Sequence, residues 1–424
     1  MHGERHGERR KVLLTAVFGG LLALLLLAGF VGRPPALCVD ELSYVPVARA
    51  LLHGTVPTLP SQQHGWHHPP LGSYLISFGI MVAGDSPAGV RLASIVFGAL
   101  TVVAVFLWSY LLLRDYRLAV TAMLLTALNN FWFVMSRLAM LDVFCFAFGM
   151  WGVLCATAAL RMESGAGVRR VCLLVSGVMF GLSAACKWTG IDTAAVTAGM
   201  VIILFVGASV PAAMADENFA EVARKARSLG WITLVLGLVV LPVTAYMVPI
   251  LAEFREAHYA VSVKSILHFH AAMYQVSKSF PGVPSIRAPW YSWPLRTSPM
   301  RGLSYLLGNF VVMWCGLVAL AICVVRLRKG FRLAEAAVIL LYAANLLQWA
   351  ITPIKTPIYY YYYPAAMFLA PAMVVALKGT GASRVWTERI CFLLVLGAAV
   401  FFLFCYPRMA CLEAPWDCMF GCWS

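Results

Sequence analysis

"PPLGSYLISFGIMVA", residues 69–83, decides how this chain is threaded. It is apolar, but it runs for only about 15 residues and contains Gly72 and Gly79. A helical membrane crossing takes roughly 20 apolar residues. The segment therefore reads as an interfacial or re-entrant helix, not a span. Outside it, the apolar runs are long: 12–31, 88–113, 118–135, 139–160, 171–188, 193–210, 229–250, 302–325, 333–351, 359–377 and 390–406. Of the 424 residues 62% are hydrophobic and 12% charged, where a soluble domain is about a quarter charged. In lipid only helices or closed barrels satisfy the backbone, and unbroken runs of this length make helices. The expected fold class is an all-α polytopic membrane protein with eleven spans.

Charge tests that threading. With the N-terminus cytoplasmic and 69–83 not crossing, every tight basic cluster falls on one side. These are Arg5/Arg9/Arg10/Lys11, Arg114/Arg117, Arg161/Arg169/Arg170, Arg224/Lys225/Arg227, Arg326/Arg328/Lys329/Arg332 and Lys378/Arg384/Arg389. If 69–83 crossed, every cluster after the first would land outside, against the positive-inside rule. The net charge of +14 is thus explained by cytoplasmic loops, and no nucleic-acid partner is expected. Residues 1–11 read as a cytoplasmic N-terminus and 12–31 as a retained first helix, since no small-residue cleavage site follows it. Residues 12–406 read as one transmembrane domain with outer loops 32–87 and 251–301, and 407–424 as an outer tail.

On this threading the unusual polar residues gather on the outer side. Asp40 and Glu41 stand side by side where the first span ends, in a chain with only 18 acidic residues. "HGWHHPPLG" (64–72) follows in the same loop. Arg91 opens the second span, "SRLAMLD" sets Arg137 and Asp142 between the third and fourth, and "CKWTGID" sets Lys187 and Asp192 between the fifth and sixth. Charges at membrane depth are costly and face a cavity or a partner. A carboxylate can take a proton from a nucleophile, and Arg or Lys can hold a phosphate. Each residue also has a plainer reading. Arg137 can pair with Asp142, Lys187 can snorkel, and Asp40 can cap the helix that follows. With Ser43 as N-cap, Pro46 falls in that helix's tolerant first turn, and Gly54 closes it. His64, His67 and His68 are close in sequence but lack a standard zinc spacing. Most cysteines lie in spans, while Cys38, Cys411, Cys418 and Cys422 fall outside, where pairing is open. The tyrosine run 359–363 starts near the outer interface, and packing is its default role.

Seven motifs, in order, resemble the protein O-mannosyltransferase family: "DE" (40–41), "HPPLG" (68–72), "GVRLASIVFGALTV" (89–102), "SRLAMLD" (136–142), "KWTG" (187–190), "PWYSWPL" (289–295) and "YYYPAAMFLAP" (361–371). The resemblance implies the GT-C glycosyltransferase fold, with juxtamembrane helices in the first outer loop. It implies Asp40 as the catalytic base on an acceptor hydroxyl, with Glu41 positioning the acceptor. Arg137 matches the arginine near the lipid phosphate. Lys187 and Arg91 are candidates to help it, as is Lys355, which stands where the family often has an arginine. His68 and Asp142 match further motif positions, and Trp290 and Trp293 an outer-loop motif. The loop 251–301 is too short for the sugar-binding-like domain of eukaryotic members, so the chain is expected to be of the short bacterial type, in the plasma membrane.

The expected activity is inverting transfer of a sugar, mannose first, from a polyprenyl phosphate to a hydroxyl of a secreted protein's Ser/Thr or of a lipid. The motifs require no cofactor and leave a divalent metal open. No nucleotide-binding run such as GxxxxGK or GxGxxG occurs. Transfer of aminoarabinose to a lipid is the related alternative. A non-catalytic polyprenyl-lipid-binding or transport protein is the alternative of another class, although paired repeats and broken midplane helices are not evident.

Overall fold

The computed structural model describes residues 2–54, 68–208, 217–279, 288–300, 305–352 and 357–412. Among them there is no β-sheet, only an isolated bridge between Met300 and Leu306. Among the described residues ten helices are long and apolar enough to cross a membrane. In chain order the first elements are α1 (His2–Ala28), α2 (Glu41–Leu52), α3 (Leu71–Ala83), α4 (Pro87–Leu113), α5 (Tyr116–Ala127), α6 (Asn130–Met135), α7 (Leu141–Arg161), α8 (Ala166–Cys186), α9 (Gly190–Gly207) and α10 (Glu217–Arg227). Then follow α11 (Trp231–Glu256), α12 (Val263–Ser279), α13 (Phe310–Leu327), α14 (Leu333–Ile351), α15 (Tyr359–Gly379) and α16 (Arg384–Met409). The chain is an integral membrane protein. Its centre is α7 and α15, whose apolar windows are 83% and 89% buried, while α16 at 17% lies at the rim.

The segment 69–83 does not traverse the bundle. α4 and α7 run parallel: Trp108 Nε1 donates to Thr157 Oγ1 near their C-terminal ends. A side chain at Gly72, near the start of α3, would meet Leu141 at the start of α7. One at Gly79, in the same helix, would meet the carbonyl of Gly89 at the start of α4. Both parts of α3 therefore lie at one end of the bundle. Phe78, Met81 and Val82 are exposed, as suits a helix lying in the interface. The reversal into α4 is tight. Gly84 has φ +79°, Ser86 accepts from the Gly89 amide as N-cap with Pro87 behind it, and a Cβ at Gly89 would fall 1.9 Å from the Gly84 carbonyl oxygen.

The predicted span 118–135 is not one helix. It breaks at 128–129 into α5 and α6. The break is made by polar side chains that replace the lost helical bonds. Asn129 accepts from the Phe131 amide to start α6, and Asn309 Nδ2 donates to the freed Leu128 carbonyl. The two pieces together still carry the chain from one end of the bundle to the other. α11 also departs from regularity: residues Leu236–Val240 form a π-turn just before Pro242, whose missing N–H accounts for the wider ladder.

The six basic clusters share one end. Glu8 accepts from Tyr110, Arg114 donates to the Arg161 carbonyl, Lys378 pairs with Asp115 at 2.9 Å, Arg169 reaches the Lys225 carbonyl, and Arg326 pairs with Glu335 at 3.1 Å. Arg117 pairs with Glu388 at the same end. The other end carries α2, α3 and the residues around Asp40. The charge asymmetry read from the sequence is a real polarity of the bundle.

Candidate active site

Helix α2 starts at Glu41 with Asp40 in the N-cap position, not Ser43. Pro46 is consequently the sixth residue of the helix rather than part of its first turn, while Gly54 does close the segment at φ +63°. Asp40 does not cap with its side chain. Its carboxylate turns instead to two phenols: Tyr44 donates to Oδ2 at 3.1 Å and Tyr360 donates to the same oxygen at 2.6 Å. Oδ1 accepts no hydrogen bond from a described residue. Burial, then the Asp40 charge, pushes the Tyr44 phenol well above its ordinary pKa, so it stays a donor.

The neighbouring carboxylate is spent. Glu41 is fully buried and its oxygens take Arg91 Nε at 2.9 Å, Arg91 Nη2 at 2.8 Å, the Cys38 amide at 2.9 Å and the Ala139 amide at 2.8 Å. Arg91 is spent as well. Its remaining hydrogens go to the carbonyls of Val31, Pro34 and Ala36, so all five N–H donors of the guanidinium are used. This knot ties the end of α1, the start of α2, α4 and the turn before α7 into one rigid corner. It leaves Glu41 no oxygen for an acceptor and Arg91 no donor for a phosphate, which departs from the roles expected of both.

Beside Asp40 lies a second buried ion pair. Lys187 Nζ bonds both oxygens of Asp142 at 2.9 Å. The same ammonium lies 4.9 Å from the Tyr361 ring centre and 5.9 Å from that of Tyr360, a cation–π contact. Lys187 therefore neither snorkels nor leaves Asp142 to Arg137. Asp142 and Lys187 brace the tyrosines, and Tyr360 in turn braces Asp40. His68 joins the group through Tyr44, with ring centres 6.0 Å apart.

Arg137 stands apart from these. Nη2 donates to the Phe30 carbonyl at 2.5 Å and the guanidinium lies over Phe133, 4.9 Å from its centre. The residue is 3% exposed, its Nε is buried with no partner, and no carboxylate among the described residues pairs with it. A buried cation without a counter-charge is expensive. The site is therefore a half-satisfied carboxylate, a neutral Lys–Asp brace and an uncompensated arginine at one end of a helical bundle.

A family model described as dolichyl-phosphate-mannose-protein mannosyltransferase matches residues 67–246. A polyprenol-phosphate-mannose–protein mannosyltransferase of Mycolicibacterium smegmatis is 24% identical over 413 aligned positions, which cover 80% of this chain and 75% of that one. The chain is similar to polyprenyl-phosphate-mannose-dependent protein mannosyltransferases. The fold agrees. The S. cerevisiae protein O-mannosyltransferase Pmt1-Pmt2 complex bound to its sugar donor matches this chain with TM-score 0.79 at 12% identity, over 96% of this chain and 91% of that one. ArnT from Cupriavidus metallidurans matches with TM-score 0.58 at 16% identity, over 97% of this chain and 66% of that one. The GT-C architecture is shared.

The other expected site residues fare differently. Trp293 is fully buried, donates to the Ala288 carbonyl at 2.9 Å and packs on Trp349 and Tyr362, so it holds the wall of the site rather than its surface. Trp290 is half-buried against Tyr291. Lys355, His64, His67, Cys418 and Cys422 lie outside the described residues. Among the described residues no three His, Cys, Asp or Glu converge as metal ligands would. Tyr44 and Tyr360 were missed as functional residues. A signal existed for Tyr44, which lies four residues after Asp40 on one helix face. The contact with Tyr360 spans 320 residues and has no local signature.

Proposed function

We propose that this transferase moves mannose from a polyprenyl phosphate to a serine or threonine hydroxyl of a secreted protein, at the outer face of a bacterial plasma membrane. The observation that carries this reading is Asp40. It has one oxygen fixed by two phenols and the other free, beside a carboxylate that is fully spent. A base must keep a lone pair for the proton it takes and must be held still while it does so. Oδ1 takes the acceptor's hydroxyl proton as that oxygen bonds to the anomeric carbon. The bond from that carbon to the phosphate oxygen breaks on the opposite face, and the phosphate leaves with the electron pair. One displacement of this kind inverts the anomeric centre. Arg137, with no counter-ion of its own, meets the phosphate charge as it grows, and Lys355 is the second candidate for that task. Trp290 is a candidate to line the acceptor or donor path, and His68 is held beside the base through Tyr44. No metal is needed for these steps.

The donor side of the reading is supported by the relatives' names, which specify polyprenol-phosphate mannose. A lipid acceptor, which the motifs leave open, is the second reading. The test is transfer by the purified protein from labelled polyprenyl-phosphate mannose to a Ser/Thr-rich peptide, beside Asp40→Asn. Labelled peptide with the wild type, and its loss in the folded variant, is the expected result. Label moving to a lipid acceptor but never to peptide would replace the acceptor assignment. Undiminished transfer by Asp40→Asn would overturn the base.

A further inference from the structure

The end of the bundle opposite Asp40 holds a cavity of about 340 Å³ that the transfer reaction does not use. It forms where the last turns of α4, α7, α13 and α15 meet the start of α14 and the amphipathic helix α10. Arg161, Arg326, Arg332 and Lys378 line it, with Glu221 and Glu335 as the only acids among its lining residues. Four of the six charges are already partnered within the fold. Arg326 pairs with Glu335 at 3.1 Å, Lys378 with Asp115 at 2.9 Å, and Glu221 with Lys225 at 2.9 Å. Arg161 and Arg332 have no carboxylate partner within salt-bridge distance among the described residues. Arg161 gives one hydrogen bond to the Leu112 carbonyl, and Arg332 stands exposed at the N-cap of α14. The inner wall is apolar, made by Leu112, Val222, Leu333 and Val375.

We infer that this cavity is a binding site for a phosphate group carried by an anionic lipid headgroup of the leaflet facing the basic end. Two unpaired guanidiniums beside two paired cations favour a phosphate, which arginine meets bidentately. The volume lies within the roughly 300–1,000 Å³ of small-molecule sites. Its position at the ends of spanning helices is where headgroups lie, and basic pockets between such helices select anionic lipids. A leucine and valine wall suits the glycerol and first methylenes of a lipid better than a free, fully hydrated anion. The ligand would lock α10 and α14 onto the central helices α7 and α15.

The test is lipid retention by native mass spectrometry of the delipidated full chain, titrated with phosphatidylglycerol, phosphatidylcholine or inorganic phosphate, with the melting temperature followed in parallel. The wild type should retain phosphatidylglycerol over phosphatidylcholine and melt higher with it. Arg332→Gln, an exposed change that a stable fold tolerates, should weaken retention about fivefold, the equivalent of about 1 kcal/mol per basic residue. Arg161→Gln should do the same, and Arg328→Gln, exposed at the same end but outside the cavity, should leave retention intact. Protection by inorganic phosphate alone, lost in Arg332→Gln, would keep the site and assign it to the free anion. Equal retention of the two lipids, or loss as large in Arg328→Gln as in Arg332→Gln, would overturn the inference.

Discussion

Asp40 and Glu41 are adjacent, and the two corners they anchor differ in one respect. The Glu41 corner is closed. Four hydrogen bonds end on its carboxylate and five leave Arg91, with no solvent exposure at either residue. The Asp40 corner is open, with two phenols on one oxygen and none on the other. A buried ion pair contributes little net stability when complete and costs several kcal/mol when one partner is removed. The closed corner therefore fixes geometry, and the open corner is free to react. On the proposed reaction, sequence neighbours in the "DE" motif divide support from chemistry.

Breaking that comparison begins with the open corner. Asp40→Asn keeps shape and loses the base, so transfer should fall roughly 10²–10⁴-fold with an unchanged melting curve. Rate and melting temperature measured on one preparation test both halves. Glu41→Gln should do the reverse. It leaves Arg91 buried beside a neutral amide, a loss of about 3–5 kcal/mol, seen as a lowered melting temperature and poor recovery from the membrane. If Glu41→Gln melts like wild type but is inactive, Glu41 is chemical after all and the division fails.

Two smaller changes sharpen it. Arg137→Gln should lower kcat about 10²–10³-fold, the size of a lost electrostatic contact to the leaving group, and should not destabilise, because it removes a buried charge that has no partner. A stability loss equal to that of Glu41→Gln would make Arg137 part of the scaffold. Tyr360→Phe removes one bond to a charged carboxylate, about 1.5–3 kcal/mol, so kcat should fall about tenfold or more while donor KM holds. In an Asp40→Asn background the same change should cost almost nothing further. Additive losses would mean that Tyr360 acts through packing alone.

Much of the fold was readable. The length and glycines of 69–83 and the asymmetry of Lys and Arg set the threading, because lipid thickness and membrane charge act on any chain in the same way. The gathering of Asp40, Asp142 and Lys187 at one end followed from that threading. The break within 118–135 was not readable, since Asn129 is an ordinary polar residue until Asn309 arrives from α13 to take the freed carbonyl. Nor was the fate of Arg91, which looked like any cation at the outer end of a span.

The sequence by itself determined that 69–83 stays at one end of the bundle, that the basic clusters gather at the other, and which carboxylates and cations stand opposite them. Hydrophobic length and charge bias are local quantities, summed along the chain. The tertiary structure alone decided which carboxylate is spent and which is free. Glu41 is saturated by Arg91 and by the Ala139 amide, 50 and 98 positions away, and Asp40 is held by Tyr360, 320 positions away. A hydrogen bond depends on separations of a few ångströms and on direction, and no local pattern fixes either before the helices pack.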